Sequence, residues 1–247
     1  MPHKKKHRVI CALDTGDLSE AISTVHRLRD YCGAFKIGHG LTLPHGLDVI
    51  DRLQDAGAER IFLDLKFHDI PSSVGIGVRE AAKRGVWMLT LHLSGGPAMM
   101  VAAMEEAKAH GAVQRPMLVG VSVLTSLNQH DLTDHLGSSR TIEEHMVYLS
   151  KLGVECGLDG VVCSVHEAAA IRREIGHGVI VTPGIRAVSG EVHDQSRIGD
   201  GQDALEAGAD YLVIGRALTA SSDPMAALAS LRLVDSVEAC ACRRCRR

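Results

Sequence analysis

From Val9 onward the chain alternates short aliphatic, β-branched runs with stretches of helical spacing, one pair after another at a period of roughly thirty residues. That rhythm constrains the fold more than any other feature. Strands are predicted at Val9–Leu13, Ala34–Ile37, Arg60–Leu65, Trp87–Leu91, Met117–Val121, Gly160–Cys163, Val179–Val181 and Tyr211–Ile214. Helices are predicted between them, including Leu18–Arg29, where Ile22, Val25 and Leu28 recur every three to four residues, and then 46–56, 98–110, 143–152 and 167–175. Parallel neighbours need a crossover of this length, so eight such units with no break in composition predict an α/β fold, a single (β/α)8 TIM barrel over residues 9–232. The competing architecture, a doubly wound open sheet, carries fewer units and a glycine-rich first turn. Here that turn reads Asp14-Thr15-Gly16-Asp17, with no GxGxxG.

In a TIM barrel the C-terminal strand ends form the functional rim. The polar residues of this chain collect there. Strand one ends at Asp14, strand two carries Lys36, strand three Asp64 and Lys66, and strand four ends near His92 and Ser94. Strand five runs into Ser122 and Thr125, strand seven into Gly184-Ile185-Arg186, and strand eight into Gly215-Arg216. Two rim connections, 122–135 and 184–200, are longer than usual and are candidate lids.

Composition excludes other classes. The chain of 247 residues is 45% apolar with a formal net charge of -3, and aromatics make up 3%, so it offers neither a broad phosphate-attracting surface nor a stacking platform for nucleic acid. The apolar run after the basic segment 1–8 is far too short for a signal core or a membrane span, and 1–8 is expected to be a solvated arm. Seven Cys, an odd number without framework spacing, point to a reducing, cytoplasmic setting. Residues 233–247 form a Cys/Arg-rich tail in which Cys240, Cys242 and Cys245 lack the second ligand pair of a metal site.

The stretch LDLKFHDIPSS, Leu63 to Ser73, concentrates the chemistry. Alternation along a strand sends Asp64 and Lys66 to one face and Leu63, Leu65 and Phe67 to the other, with the strand ending near His68 ahead of Pro71. With Lys36 one strand away and Asp69 at the rim, two ammoniums and two carboxylates are expected at the barrel mouth. A structural salt-bridge network is the bland alternative, but four charges on adjacent strands are costly to desolvate without use. Lys66 beside carboxylates should remain an ammonium, suited to act as an acid rather than as a Schiff-base nucleophile. A phosphate fits the other side of the rim, where Gly184 permits close backbone approach and Arg216 offers a bidentate contact at the start of a helix. Asp14 suits sugar hydroxyls or a simple chain turn. His68 and His92 lack partners at metal-ligand spacing and are expected to be structural or to support the site residues from behind.

Together LDLKFHDIPSS, the ALD of strand one, FKIG, VSVLTS, GLDGVVCS, TPGIR and VIGR resemble the orotidine 5'-phosphate decarboxylase family in its bacterial form, with all seven motifs in order between Val9 and Leu231. The resemblance implies a homodimeric barrel that converts orotidine 5'-monophosphate to uridine 5'-monophosphate without a cofactor or metal. It implies Lys66 as proton donor within an array of Lys36, Asp64, Lys66 and Asp69, with Asp69 serving the neighbouring subunit's site beside Ile70 and Ser73. It further implies that Asp14 contacts the ribose, Thr125 the base, and Arg186, Gln195, Gly215 and Arg216 the phosphate side. Ser72-Ser73 stands where the family often has Asn-Thr, and Ser73 keeps the hydroxyl. A magnesium-dependent sugar-phosphate decarboxylase of the same suprafamily would need further metal-ligating carboxylates where this chain has Lys36. A catalytically silent nucleotide-binding barrel would be marked by loss of one of the charged residues, and all four are present.

Overall fold

The computed structural model describes residues 5–110, 115–186 and 200–234. Eight parallel strands close into a barrel in sequence order: β1 Val9–Ala12, β2 Ala34–Ile37, β3 Ile61–Phe67, β4 Met88–His92, β5 Met117–Val121, β6 Gly160–Val162, β7 Val179–Thr182 and β8 Tyr211–Ile214, which pairs back onto β1. Between and after them run α1 Leu18–Leu28, α2 His39–His45, α3 Asp48–Asp55, α4 Pro71–Lys83, α5 Gly96–His110, α6 Ile142–Glu155, α7 Val165–Ile175, α8 Gly201–Glu206, α9 Arg216–Thr219 and α10 Pro224–Ser230. The predicted TIM barrel is the observed fold, and among the described residues no helix is long and apolar enough to cross a membrane.

Strand alternation divides the apolar residues between two cores. Val9 and Cys11 of β1 face the helices, whereas Ile10 and Ala12 point into the barrel and join Ala34, Phe62, Met88, Val119, Val181 and Val213 in a buried plug. Local signals fix the helix starts. The Asp17 carboxylate accepts the backbone N–H of Ser19 and Glu20 ahead of α1, Thr141 and Glu144 form a reciprocal capping box at α6, and Pro71 opens α4.

The N-terminal end of the barrel is tied by two matching devices. Asp159, just before β6, takes both guanidinium nitrogens of Arg115 at 2.7 Å and the Leu118 N–H at 2.8 Å. Asp210, just before β8, pairs with Arg172 at 2.6 Å and accepts the Ile180 N–H at 2.8 Å. Each carboxylate closes a strand start that the ladder alone would leave unpaired.

Several boundaries differ from the sequence reading. The helix expected over 46–56 is α3, Asp48–Asp55, and a second helix, α2, which was not expected, precedes it and ends where Gly46 turns into the left-handed region at φ 65°. β3 runs on to Phe67 through an irregularity described below. Residues 6–8, expected as a solvated arm, form a 3-10 turn, and the His7 backbone lies where a side chain on Gly33 would stand. Leu233 and Val234, assigned to the tail, are buried in the core.

Gly160 shows how closely the strands approach: a Cβ there would stand 1.9 Å from the carbonyl oxygen of Val179, its register partner on β7. Backbone cannot yield as a side-chain tip does. Gly160→Ala is expected to cost more than about 2 kcal/mol, a fall of roughly 5 °C or more in the thermal midpoint. An unchanged midpoint would contradict the close approach.

Candidate active site

The C-terminal ends of the strands surround a cavity of about 1060 Å³. Its floor is the upper part of the apolar plug, including Ala12, Phe62, Val162, Val181 and Val213, and its wall along β1 to β4 carries Asp14, Lys36, Asp64, Lys66 and Thr90. Thr125, Gly184, Arg186, Gly215 and Arg216 stand on the remaining rim. Nine of the residues singled out from sequence therefore meet in one hollow.

The charges form a row across three strands. Lys36 Nζ lies 3.1 Å from Asp14 Oδ1 and 3.5 Å from Asp64 Oδ2, while Lys66 Nζ lies 2.9 Å from Asp64 Oδ1. Burial alone would push the Asp64 carboxyl up. The Lys36 and Lys66 ammoniums, with hydrogen bonds from Lys66 and from Thr90, reverse that and hold it below the usual carboxylate range. The row of two ammoniums and two carboxylates is thus Asp14, Lys36, Asp64 and Lys66, with Asp14 in the place expected for Asp69. Among the described residues, Lys66 makes an ion pair with Asp64 and none with Asp69.

The backbone explains the change. Between the register pairs Leu63↔Leu89 and Phe67↔Leu91 the three residues Asp64, Leu65 and Lys66 face Thr90 alone, a bulge that reorients the strand. Lys66 absorbs the bend at φ 51°, a left-handed conformation that costs a non-glycine residue roughly 1–2 kcal/mol. Beyond it the chain turns out of the barrel. Asp69 is exposed, its carboxylate accepts the Ile70 N–H at 2.6 Å, and with Ser73 it lines a separate hollow of about 300 Å³ on the outer side of Lys66. Ile70 is 64% exposed. Asp69, Ile70 and Ser73 are therefore not brought to this chain's own cavity, and Gln195 lies outside the described residues.

Thr90 was missed from sequence. Its hydroxyl donates to Asp64 Oδ1 and accepts the Lys66 backbone N–H, both at 2.9 Å. One polar residue inside the apolar run Met88–Leu91, two before His92 and so on the same face, was the available signal. Cys163 also reaches the wall, but burial pushes its thiol far up, which leaves it a poor nucleophile. The rings of His68 and His92 stand 5.2 Å apart. Burial, then His68 and the Lys66 ammonium, push His92 below the ordinary imidazole range, which favours its neutral form. Arg216 opens α9, a helix of four residues, so the charge on this side of the rim comes from Arg186 and Arg216 far more than from a helix dipole.

A closed parallel barrel whose mouth gathers a partly buried carboxylate, two flanking lysines and an arginine-bearing far wall has the architecture of TIM-barrel enzymes, which carry their sites at the C-terminal strand ends. The family model described as "Orotidine 5'-phosphate decarboxylase / HUMPS family" matches residues 7–231, and the chain belongs to that family. It is 43% identical over 232 residues to the orotidine 5'-phosphate decarboxylase of Pseudoalteromonas translucida, covering 94% of this chain and 98% of the relative. Identity to the Neisseria meningitidis enzyme of the same name is 44% over 233 residues, covering 94% and 93%. The crystal structure of orotidine 5'-phosphate decarboxylase from Lactobacillus acidophilus is similar at a TM-score of 0.78 and 33% identity, covering 91% of this chain and 96% of that one.

Asp64 ties the pH dependence of stability to the site. Its folded pKa is lowered, so its contribution is fully present above the unfolded value of about 3.9 and disappears as the pH falls through the lowered folded value. Asp64→Asn, which leaves Lys66 without its carboxylate and Lys36 with Asp14 alone, should lose about 2 kcal/mol at neutral pH. Urea unfolding across pH should show that deficit shrinking only below about pH 4. A deficit constant down to pH 2 would show that the carboxylate charge is not its source.

Proposed function

We propose that the chain decarboxylates orotidine 5'-monophosphate to uridine 5'-monophosphate and carbon dioxide, the last step of de novo uridine 5'-monophosphate synthesis, without a cofactor. The observation that carries this reading is the Lys66 ammonium, held by Asp64 at 2.9 Å in a mouth cavity whose opposite rim bears Arg186 and Arg216. The family membership and the names of the relatives support the same reaction.

The chemistry asks for such an arrangement. When the bond from the pyrimidine ring to its carboxylate breaks, the electron pair stays on the ring carbon in the ring plane, where no simple electron sink lies. An ammonium fixed beside that carbon stabilises the developing charge and then transfers a proton from Nζ to the same carbon, giving uridine 5'-monophosphate; the neutral amine regains its proton from water. Asp64, kept ionised by Lys36 and Lys66, orients the Lys66 donor and disfavours a carboxylate in the substrate next to it. In this reading Asp14 meets the ribose and Thr125 the base, while Arg186, Gln195, Gly215 and Arg216 hold the phosphate, whose binding energy draws the reacting atoms into place.

A magnesium-dependent sugar-phosphate decarboxylase fits the donor set less well. Asp64 lies between two ammoniums, and a dication beside it would be repelled by both. The four free cysteines among the described residues suit a reducing cytoplasm.

We assign Asp69, Ile70 and Ser73 to the partner's site in a homodimer. Supporting this, Asp69 turns away from its own cavity, and exposed Ile70, Ile76 and Val101 present apolar surface on that turn and on α4 and α5.

Purified protein should consume orotidine 5'-monophosphate, followed by ultraviolet absorbance, equally with and without a chelator. Lys66→Ala should lower turnover by several orders of magnitude while keeping the fold. Absence of turnover with binding intact would refute the enzyme reading, and near-normal turnover of the variant would refute the donor. Mixed dimers of Lys66→Ala and Asp69→Ala subunits should regain activity, since one of the two sites then has both residues. Verified hybrids that stay inactive would contradict the shared site.

A further inference from the structure

Thr90 is 1% exposed at the centre of β4 and is the sole residue of that strand facing the three-residue bulge of β3. Its one hydroxyl closes a ring. The Lys66 N–H points to Oγ1, Oγ1 donates to Asp64 Oδ1, and the same Oδ1 accepts from Lys66 Nζ, each at 2.9 Å. The Lys66 backbone and its side-chain tip are thus anchored to each other through Thr90 and Asp64.

We infer that Thr90 is a positioning residue for the reaction: its hydroxyl fixes both the left-handed backbone of Lys66 and the rotamer of Asp64, and so sets where the ammonium points. The inference rests on Lys66 as the proton donor proposed above. A hydroxyl is needed because the position must accept one hydrogen bond and donate another. Valine has the same shape and can do neither; serine can do both. The bulge leaves the Lys66 N–H without a strand partner in the regular ladder, and the strained φ of Lys66 persists because neighbouring bonds over-determine it. Without the hydroxyl the N–H and one lone pair of Asp64 lose their partner in a place closed to water on the strand side.

The test compares Thr90→Val with Thr90→Ser. In Thr90→Val, kcat for orotidine 5'-monophosphate should fall about 10²-fold while KM moves less than about threefold, the signature of a displaced reacting group with binding retained. Independently of turnover, the Asp64 carboxyl, followed by carbon-13 NMR, should titrate at higher pH than in the wild type, because one donor to its ionised form is gone. The other groups facing it, Lys36 on β2, Lys66 on β3 and His92 further along β4, are unchanged. Thr90→Ser should match the wild type within about threefold in kcat. If Thr90→Val does not fold, Thr90→Ala serves in its place with the same expectations. The inference is overturned if the hydroxyl-free variant keeps kcat and the Asp64 titration, or if Thr90→Ser is impaired equally, which would make packing the cause. Wild-type protein that leaves orotidine 5'-monophosphate untouched would fail the decarboxylase reading alone, since the Asp64 titration still decides whether Thr90 sets the carboxylate.

Discussion

A carboxylate taken out of water must be surrounded by positive charge and hydrogen-bond donors, and Asp64 meets that demand with Lys36, Lys66 and Thr90 from three consecutive strands. The surrounding geometry follows from this one requirement. β2, β3 and β4 must lie side by side in register for the three partners to converge, and β3 must bulge so that Lys66 turns back on Asp64. The apolar plug beneath keeps water from the lower side, which strengthens every interaction in the row. Removing either lysine would weaken the compensation that keeps Asp64 ionised despite its burial.

The two ends of the barrel solve different problems with the same residue types. At the N-terminal end, Asp159 with Arg115 and Asp210 with Arg172 are fully engaged in fastening strand starts, and their charges cancel within closed pairs. At the C-terminal end the charges remain open to the cavity: Asp14 is 67% exposed, and Lys66 is 37% exposed. Closed pairs support the frame, whereas open ones leave donors and acceptors for an incoming molecule.

The fold was legible because each strand is a short aliphatic run and each crossover an amphipathic helix, so every local preference agreed with the global arrangement. Residues lining the mouth were legible for the same reason, since polar residues at strand ends can point only to one rim. What escaped was backbone irregularity. Lysine carries no sequence mark for a left-handed conformation, so simple alternation put Lys66 in a regular strand and let Asp69 stand beside it. The bend at Lys66 sends Asp69 outward and leaves Asp14 as the fourth member of the row. Thr90 was passed over because a threonine in a strand is ordinary, and its double hydrogen bond depends on the bulge opposite. α2 escaped as well, because its seven residues include Gly40 and Pro44, both poor helix formers.

The plug of Ile10, Phe62, Met88, Val119, Val181 and Val213 has a consequence for traffic. Stacked beneath the charged row, it makes the barrel a blind-ended well, not a channel. Among the described residues, whatever enters this cavity and whatever is formed in it must pass the C-terminal rim. Under the proposed reaction both products leave at the rim, since the plug closes the lower side.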